Sequence, residues 1–346
     1  MKLEIKSIYK FWHEYFSEGY KSIIKVCPDY LGMDFSVLKQ SYQDFSLITI
    51  KDLERLKESL LTLEYTKNSK LNLFIGASTV PITPFVEILY SLILDIPIIC
   101  RISKSYSLEF YEHFKSFAPK EIKKYIEFIH WDSEDNDIGK KIFEKADYII
   151  IHANDSTIEK IKTLIPSNKK ILTFGHKISF AIIDKNQITD LNIIIKKIKD
   201  DIQAFNQRGC LSPQLVYVIN FKEIELLDFI KSLSQELKTL DKYLNPSQLY
   251  MRNAFLQEQL LIQKESKLFE NILLSKDSHF NYNLGFFSIY LKSINNLNEI
   301  ILDDLEDKVA CIGHNLSNQE LIYIQNRFKN TKIVDLGLMQ RPNIIF

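Results

Sequence analysis

The chain is 346 residues long, with 44 Lys and Arg against 44 Asp and Glu, so its formal net charge is zero. That balance gives no sign of a polyanion partner or of wholesale nucleic-acid binding. Hydrophobic residues at 46% and charged residues at 25% suit a globular protein with a sizeable core, and at about 100–200 residues per domain the length predicts two domains. Cys27, Cys100, Cys210 and Cys311 are far apart and form no CxxC pair, which argues against a disulfide framework and against any metal site built on them. The first residues carry early charges and no long apolar core, unlike a secretory signal. The most apolar stretch, Pro84–Cys100, is broken by Glu87, Asp95 and Pro97 and is not expected to span a membrane. A reducing cytoplasm is the expected location.

Residues 1–65 show helical spacing, clearest over Ile50–Leu63, and no evident chemistry. From Leu71 the pattern alternates. Strands are predicted at Leu71–Ile75, Pro97–Ile102, Ile126–His130, Tyr148–His152 and Ile171–Phe174. Helices are predicted near Pro84–Leu94, Leu108–Phe117, Ile138–Lys145 and Ser156–Leu164. Such alternation implies βαβ units and a parallel sheet covered on both faces, with a cofactor crevice at the carboxyl ends of the strands. The fold class is α/β. A second series begins near Lys177, with strands at Ile178–Ile183 and Leu215–Ile219. Its predicted helices are Leu191–Phe205, with a Lys/Asp outer face, about Phe221–Leu240, and Pro246–Leu268. Late strands at Val309–Ile312 and Ile333–Asp335 flank a helix at Ser317–Phe328. The expected division is a helical segment and cofactor domain over 1–175 and a catalytic domain over 176–346.

The segment Gln207-Arg208-Gly209-Cys210-Leu211-Ser212-Pro213-Gln214 falls between a helix and an apolar strand and reads as a loop. Gly209 lets the backbone turn beside the thiol. A free Cys is only a few per cent thiolate at neutral pH, so loop amides or a nearby cation, with Arg208 the adjacent candidate, would be needed to raise that fraction. A half-buried structural thiol is the plainer alternative.

Phe174-Gly175-His176-Lys177 joins the two series. His176 is suited to proton transfer near neutral pH, although a solvated turn has the same composition. His152-Ala153-Asn154-Asp155-Ser156-Thr157-Ile158-Glu159 has a capping-box spacing at Ser156 and Glu159, and a strand running into a capped helix offers amides to phosphate. An ordinary strand-to-helix turn reads the same way. Gly76-Ala77-Ser78-Thr79-Val80-Pro81 follows the first strand, with Thr83 and Pro84 as expected N-cap and first helical residue. It is neither a GxGxxG fingerprint nor a P-loop. Arg101-Ile102-Ser103-Lys104, at a strand end, could reach a ribose or 2′-phosphate or simply be solvated.

Together these segments resemble the acyl-CoA reductase family of the luminescence fatty-acid reductase (LuxC type), a divergent branch of the aldehyde dehydrogenase-like fold. The likeness runs from about Leu71 to Pro342. Gly209-Cys-Leu-Ser-Pro-Gln214 resembles the nucleophile loop, Phe174-Gly-His-Lys-Ile-Ser-Phe180 a second signature, and Lys332-Ile-Val-Asp-Leu-Gly-Leu-Met-Gln-Arg-Pro342 the closing segment. The resemblance implies a Rossmann-like cofactor domain and an α/β catalytic domain. It puts Arg101 and Ser103 near the adenine ribose, and Ala153 and Asn154 near the pyrophosphate and nicotinamide. Gly175 is grouped with these cofactor-binding positions. Thr79 stands where the family commonly has an oxyanion-holding Asn, Ala153 stands for a Gly, and a His-Asp-Gly tail is expected beyond Arg341-Pro342 but is not found.

The implied reaction is reduction of a fatty acyl thioester, carried by CoA or acyl carrier protein, to an aldehyde with NADPH or NADH. Cys210 is the acyl acceptor, His176 the proton-transfer residue and Thr79 an oxyanion donor. Hydrolytic aldehyde dehydrogenases carry a Glu where Thr173 stands, and Ile171–Phe180 has no carboxylate, which favours thioester reduction over oxidation to a free acid. Two further readings stand beside this one. The first is a Cys-dependent acyltransferase or thioesterase without nicotinamide. The second is a non-catalytic scaffold for an acyl-protein synthetase. A homo-oligomer is a further expectation.

Overall fold

The structure, a computed structural model, describes residues 2–62, 69–131, 136–263, 265–277 and 279–341. Leu63 and Pro342, which end two of the expected segments, lie outside the described residues. Two compact units divide the chain, one running to His176 and including Arg341, the other Lys177–Gln340.

The first unit opens with helices α1 (Ile5–Ser17), α2 (Cys27–Leu31), α3 (Lys39–Ser46) and α4 (Ile50–Leu61). Thr49 and Asp52 close a capping box that starts α4. There follow β1 (Asn72–Ile75), α5 (Thr83–Ile93), β2 (Ile98–Arg101), α6 (Leu108–Phe117), α7 (Lys120–Lys123), β3 (Ile126–Ile129), α8 (Asn136–Lys145), β4 (Tyr148–His152), α9 (Asp155–Lys162) and β5 (Lys170–Phe174). The five strands form a parallel sheet in the order β3-β2-β1-β4-β5. All of β1 is buried, as suits a central strand covered on both faces. The rings of Trp12, Phe16 and Phe45 of the N-terminal helices meet in tilted and edge-on contacts, and Phe85 of α5 and Phe114 of α6 complete the cluster. Elsewhere in the sheet's core, Leu73, Ile75, Ile149 and Ile151 pack with Phe143 of α8 and Ile158 of α9.

The second unit contains β6 (Ile178–Asp184), α10 (Leu191–Gln203), β7 (Leu215–Ile219), α11 (Glu223–Lys238), α12 (Pro246–Ile262), β8 (Lys267–Phe269), β9 (Ile272–Leu274), β10 (Ile289–Ser293), β11 (Val309–His314), α13 (Asn318–Arg327) and β12 (Lys332–Asp335). Its sheet runs β12-β11-β6-β7-β10-β9-β8. All its pairings are parallel except the β8–β9 hairpin. Every residue of β6 and β7 is buried. Alternate side chains go to separate cores: Ala181, Ile183, Val216 and Val218 to one, Phe180, Ile182, Leu215 and Tyr217 to the other.

Three expectations are corrected here. The helix expected to reach Leu268 stops at Ile262, and Leu268 belongs to β8. Strands β8, β9 and β10 were not expected: β8 and β9 have three residues each, too short a run to show a period of two, and the five-residue β10 was not picked out. The helix expected to reach Phe205 ends at Gln203, and Phe205, Asn206 and Gln207 take left-handed φ of 54°, 54° and 60°.

Candidate active site

In the first unit the strand order reverses between β1 and β4, so the carboxyl ends of these strands flank the switch point where α/β sheets bind ligands. Thr79 lies half-exposed in the bend after β1. The expected cap of α5 is displaced by one residue: Ile82 is the N-cap, and the Thr83 hydroxyl donates to the Val80 carbonyl at 3.0 Å, closing the preceding turn instead. Arg101, at the end of β2, donates through Nη2 to the Trp131 carbonyl at 3.4 Å, with its guanidinium 5.6 Å from the Trp131 ring centroid. The Ser103 hydroxyl accepts the Ser105 amide at 3.3 Å.

At the end of β4 the Ala153 amide donates to the Phe174 carbonyl at 3.3 Å. The cap of α9 is Asn154, whose Oδ1 accepts the Thr157 amide at 2.8 Å and the Ser156 hydroxyl at 2.9 Å. The expected capping box at Ser156 is therefore not formed: the Asn154 side chain, two residues earlier, already takes the first-turn amide. Asp155 Oδ1 accepts the His176 amide at 2.9 Å, and a Cβ at Gly175 would overlap that same carboxylate oxygen. Only glycine allows this approach, which pins the Gly175–His176 turn to the start of α9. The stretch Ile171–Phe180 has no carboxylate of its own, but Asp155, distant in sequence, brings one to its turn.

Beside β4, His152 Nε2 lies 3.7 Å from Glu87 Oε1 and has no hydrogen-bond partner. Burial pushes Glu87 up to about 8 and His152 down to about 4. The separation would allow an ion pair, but both directions disfavour charge. At neutral pH the carboxyl is protonated and the ring neutral, so this is a neutral contact. Phe74 and Phe174 flank the ring, at centroid distances of 5.1 and 4.5 Å.

In the second unit Cys210 is exposed, whereas Cys27, Cys100 and Cys311 are buried. The left-handed run 205–207 costs roughly 1–2 kcal/mol per residue and is held by Gln207, whose Nε2 donates to the Pro213 and Ser288 carbonyls at 2.9 and 2.7 Å. The Ser179 hydroxyl, at the start of β6, donates to the Cys210 carbonyl at 2.7 Å. The Gln214 amide donates to the Ser179 carbonyl at 3.0 Å and so leads into β7. The thiol thus stands at the amino ends of β6 and β7.

Desolvation pushes the Cys210 thiol above its usual value, while its own backbone amide and the charges of Lys177 and Lys332 pull it down. The upward push conflicts with the exposure of the residue. Water that reaches Cys210 weakens desolvation, and the cations oppose what remains of it. Arg208, the cation expected from its adjacency, is not among them. Its side chain is exposed, directly after the left-handed run 205–207.

Sequence reasoning also missed Asp201. It was assigned to the outer face of α10 but is 1% exposed, on the same stripe as Ile194, Ile198 and Ile202. A carboxylate interrupting an apolar stripe was the available signal.

Among the described residues no helix is long and apolar enough to cross a membrane. The family model described as acyl-CoA reductase (LuxC) matches residues 64–293. The long-chain acyl-protein thioester reductase 2 of Photobacterium leiognathi is 33% identical over 121 residues, covering 35% of this chain and 24% of that protein. The long-chain acyl-protein thioester reductase of Aliivibrio fischeri is 25% identical over 236 residues, covering 65% of this chain and 49% of that one. The chain thus spans about half or less of the length of these curated relatives. The crystal structure of methylmalonate-semialdehyde dehydrogenase from Oceanimonas doudoroffii superposes with a TM-score of 0.71 at 9% identity, covering 98% of this chain and 78% of that one. At that identity the likeness is one of fold, and the fold is aldehyde dehydrogenase-like.

Proposed function

The chain belongs to the acyl-CoA reductase (LuxC) family, and on that premise we propose that it reduces a fatty acyl thioester to an aldehyde through an acyl-enzyme on Cys210. The observation that carries this reading is that Cys210, alone of four cysteines, is exposed, in a loop acted on by two lysines. The names of the relatives support a protein-bound acyl thioester as substrate; acyl-CoA offers the same reacting bond.

The Cys210 thiolate attacks the thioester carbonyl, and the carbon–sulfur bond to the carrier breaks. We assign the Cys210 amide and the Thr79 hydroxyl as donors to the oxyanion, where one donor contributes about 3 kcal/mol. His176 is assigned the proton that leaves with the carrier thiol. Thr173 cannot deprotonate water, so slow hydrolysis of the acyl-enzyme is expected.

An aldehyde dehydrogenase-like fold implies a nicotinamide cofactor, and the first unit has residues that fit one. Asn154 takes the Thr157 amide and leaves the preceding amides of α9 to be met from outside the helix. Arg101 offers a permanent cation to a 2′-phosphate, the ground for preferring NADPH to NADH. Ser103, Ala153 and Gly175 would complete the contacts, with Asn154 acting through its backbone since its side chain forms the cap. A bound nicotinamide supplies the hydride that converts the acyl-enzyme to aldehyde.

The test is to follow the nicotinamide absorbance with a long-chain acyl-CoA and NADPH. Thioester-dependent oxidation of NADPH is expected. Release of thiol without it would favour an acyltransferase or thioesterase, and absence of any acyl transfer would favour a scaffold.

A further inference from the structure

The segment after β12 does more than close the chain. Asp201, on the core-facing stripe of α10, accepts the Gly337 amide at 2.7 Å and the Met339 amide at 2.9 Å. Gly337 has φ of +85°, the left-handed turn that sends the segment back along the sheet. The Met339 side chain then packs against Gly313 of β11. Gln340 Nε2 donates to the Asp201 carbonyl at 3.0 Å and to the Ser212 hydroxyl at 3.1 Å, two residues beyond Cys210. Lys332 Nζ donates to the Met339 carbonyl at 2.8 Å and the Leu338 carbonyl at 3.3 Å. The closing segment therefore touches the Cys210 loop through Gln340 and fixes the ammonium of Lys332 at its own carbonyls.

We propose that Lys332 supplies the positive charge that favours the Cys210 thiolate, and that Asp201 is a positioning residue that holds both Lys332 and the Cys210 loop through the segment Leu336–Gln340. The inference rests on Cys210 being the nucleophile. The other charged and titratable groups around the clasp are identifiable. Lys177 is the second cation acting on Cys210. Burial pushes Asp201 up to about 7 and the neighbouring Asp200 adds to that, while the Gly337 and Met339 amides and Lys332 pull it down. Lys197 packs on Gly337. Cys311 of β11, with its sulfur 3.9 Å from the Met339 carbonyl, is buried and stays protonated. Lys332 thus acts on both Asp201 and Cys210, and the clasp holds its ammonium at the Leu338 and Met339 carbonyls.

The test needs neither acyl donor nor nicotinamide. The alkylation rate of Cys210 by iodoacetamide, read by peptide mass spectrometry from about pH 6 to about pH 10, gives the midpoint of thiolate formation. Lys332→Met should raise that midpoint by about half a unit to one unit and slow alkylation at neutral pH by about three- to tenfold, and Lys332→Arg should restore it. Lys332→Gln replaces the Met variant should that one not fold. Asp201→Asn keeps the shape but offers a single carbonyl acceptor. A positioning role predicts a raised midpoint there too, whereas a bare charge effect predicts a lowered one, because a negative charge beside Lys332 has gone. An unmoved midpoint in Lys332→Met overturns the assignment of the cation. An unmoved or lowered midpoint in Asp201→Asn overturns the clasp. Were Cys210 not the nucleophile, these midpoints would still move while Cys210→Ala went on accepting acyl groups, so the two failures are read separately.

Discussion

The candidate residues of the two units are held in different ways. In the first, Asn154 bonds an amide three residues on, and Asp155 an amide 21 residues on. In the second, the Cys210 carbonyl is held from 31 residues away, Ser212 from 128 and the Asp201 carboxylate from 136. Bonds within a turn form as the helix forms and can be lost one at a time. Bonds that span a unit exist only once the unit has folded, and they couple the loop to everything that packs on it.

The contrast breaks most readily at Asp201. Asp201→Ala leaves one buried and one half-buried amide without acceptors, each at about 1–3 kcal/mol, so a loss of about 3 kcal/mol in unfolding free energy is expected. Denaturant titration measures it. A loss below that of Asn154→Ala would show that the long-range network contributes no more than a local cap.

The next largest effect sharpens the reading of the first unit. Burial pushes Glu87 up to about 8 in the folded state from the ordinary carboxyl value of 4.5. The native state therefore binds the extra proton between those values, and stability falls as pH rises through that window. His152, held at about 4 against 6.5, acts oppositely: its contribution is lost as pH falls below 6.5. Between about pH 6 and about pH 9 the wild type should lose on the order of 2 kcal/mol more than Glu87→Gln, by linkage. Parallel stability curves for the two proteins would contradict a protonated Glu87.

Asn154→Ala removes a cap and should cost about 1 kcal/mol, with Asn154→Ser or Asp restoring it. Thermal melts of the series decide this, and indifference to the substitution would mean that α9 is held by packing alone. The smallest effect is expected at Arg101. Arg101→Ala should raise the KM for NADPH about threefold more than that for NADH, as a half-exposed ion pair allows. Equal changes would mean that Arg101 does not read the 2′-phosphate.

Much of the first unit was legible in the sequence. Its strands are β-branched runs of four or five residues separated by helices with amphipathic stripes, and their periods hold long enough to be read. Cys210 was legible as a loop thiol because Gly209 and Pro213 bound it and the three other cysteines sit in apolar runs. The cap at Asn154 was misread by two residues, since Asn154 and Ser156 are both good caps and the choice depends on where β4 stops. What could not be read was long-range. The cations acting on Cys210 are Lys177 and Lys332, which only the sheet brings to the thiol, and the inward turn of Asp201 became visible only with partners more than a hundred residues away.

The central claim is that Cys210 accepts the acyl group, and intact-protein mass spectrometry tests it most directly. The protein is mixed with tetradecanoyl-CoA without nicotinamide, and its mass is followed beside that of Cys210→Ala. The account predicts one acyl adduct on the wild type, located at Cys210 by peptide mapping and released by hydroxylamine, and none on Cys210→Ala at an unchanged melting temperature. An adduct of equal extent on Cys210→Ala, or one mapped to another residue of the wild type, would contradict it.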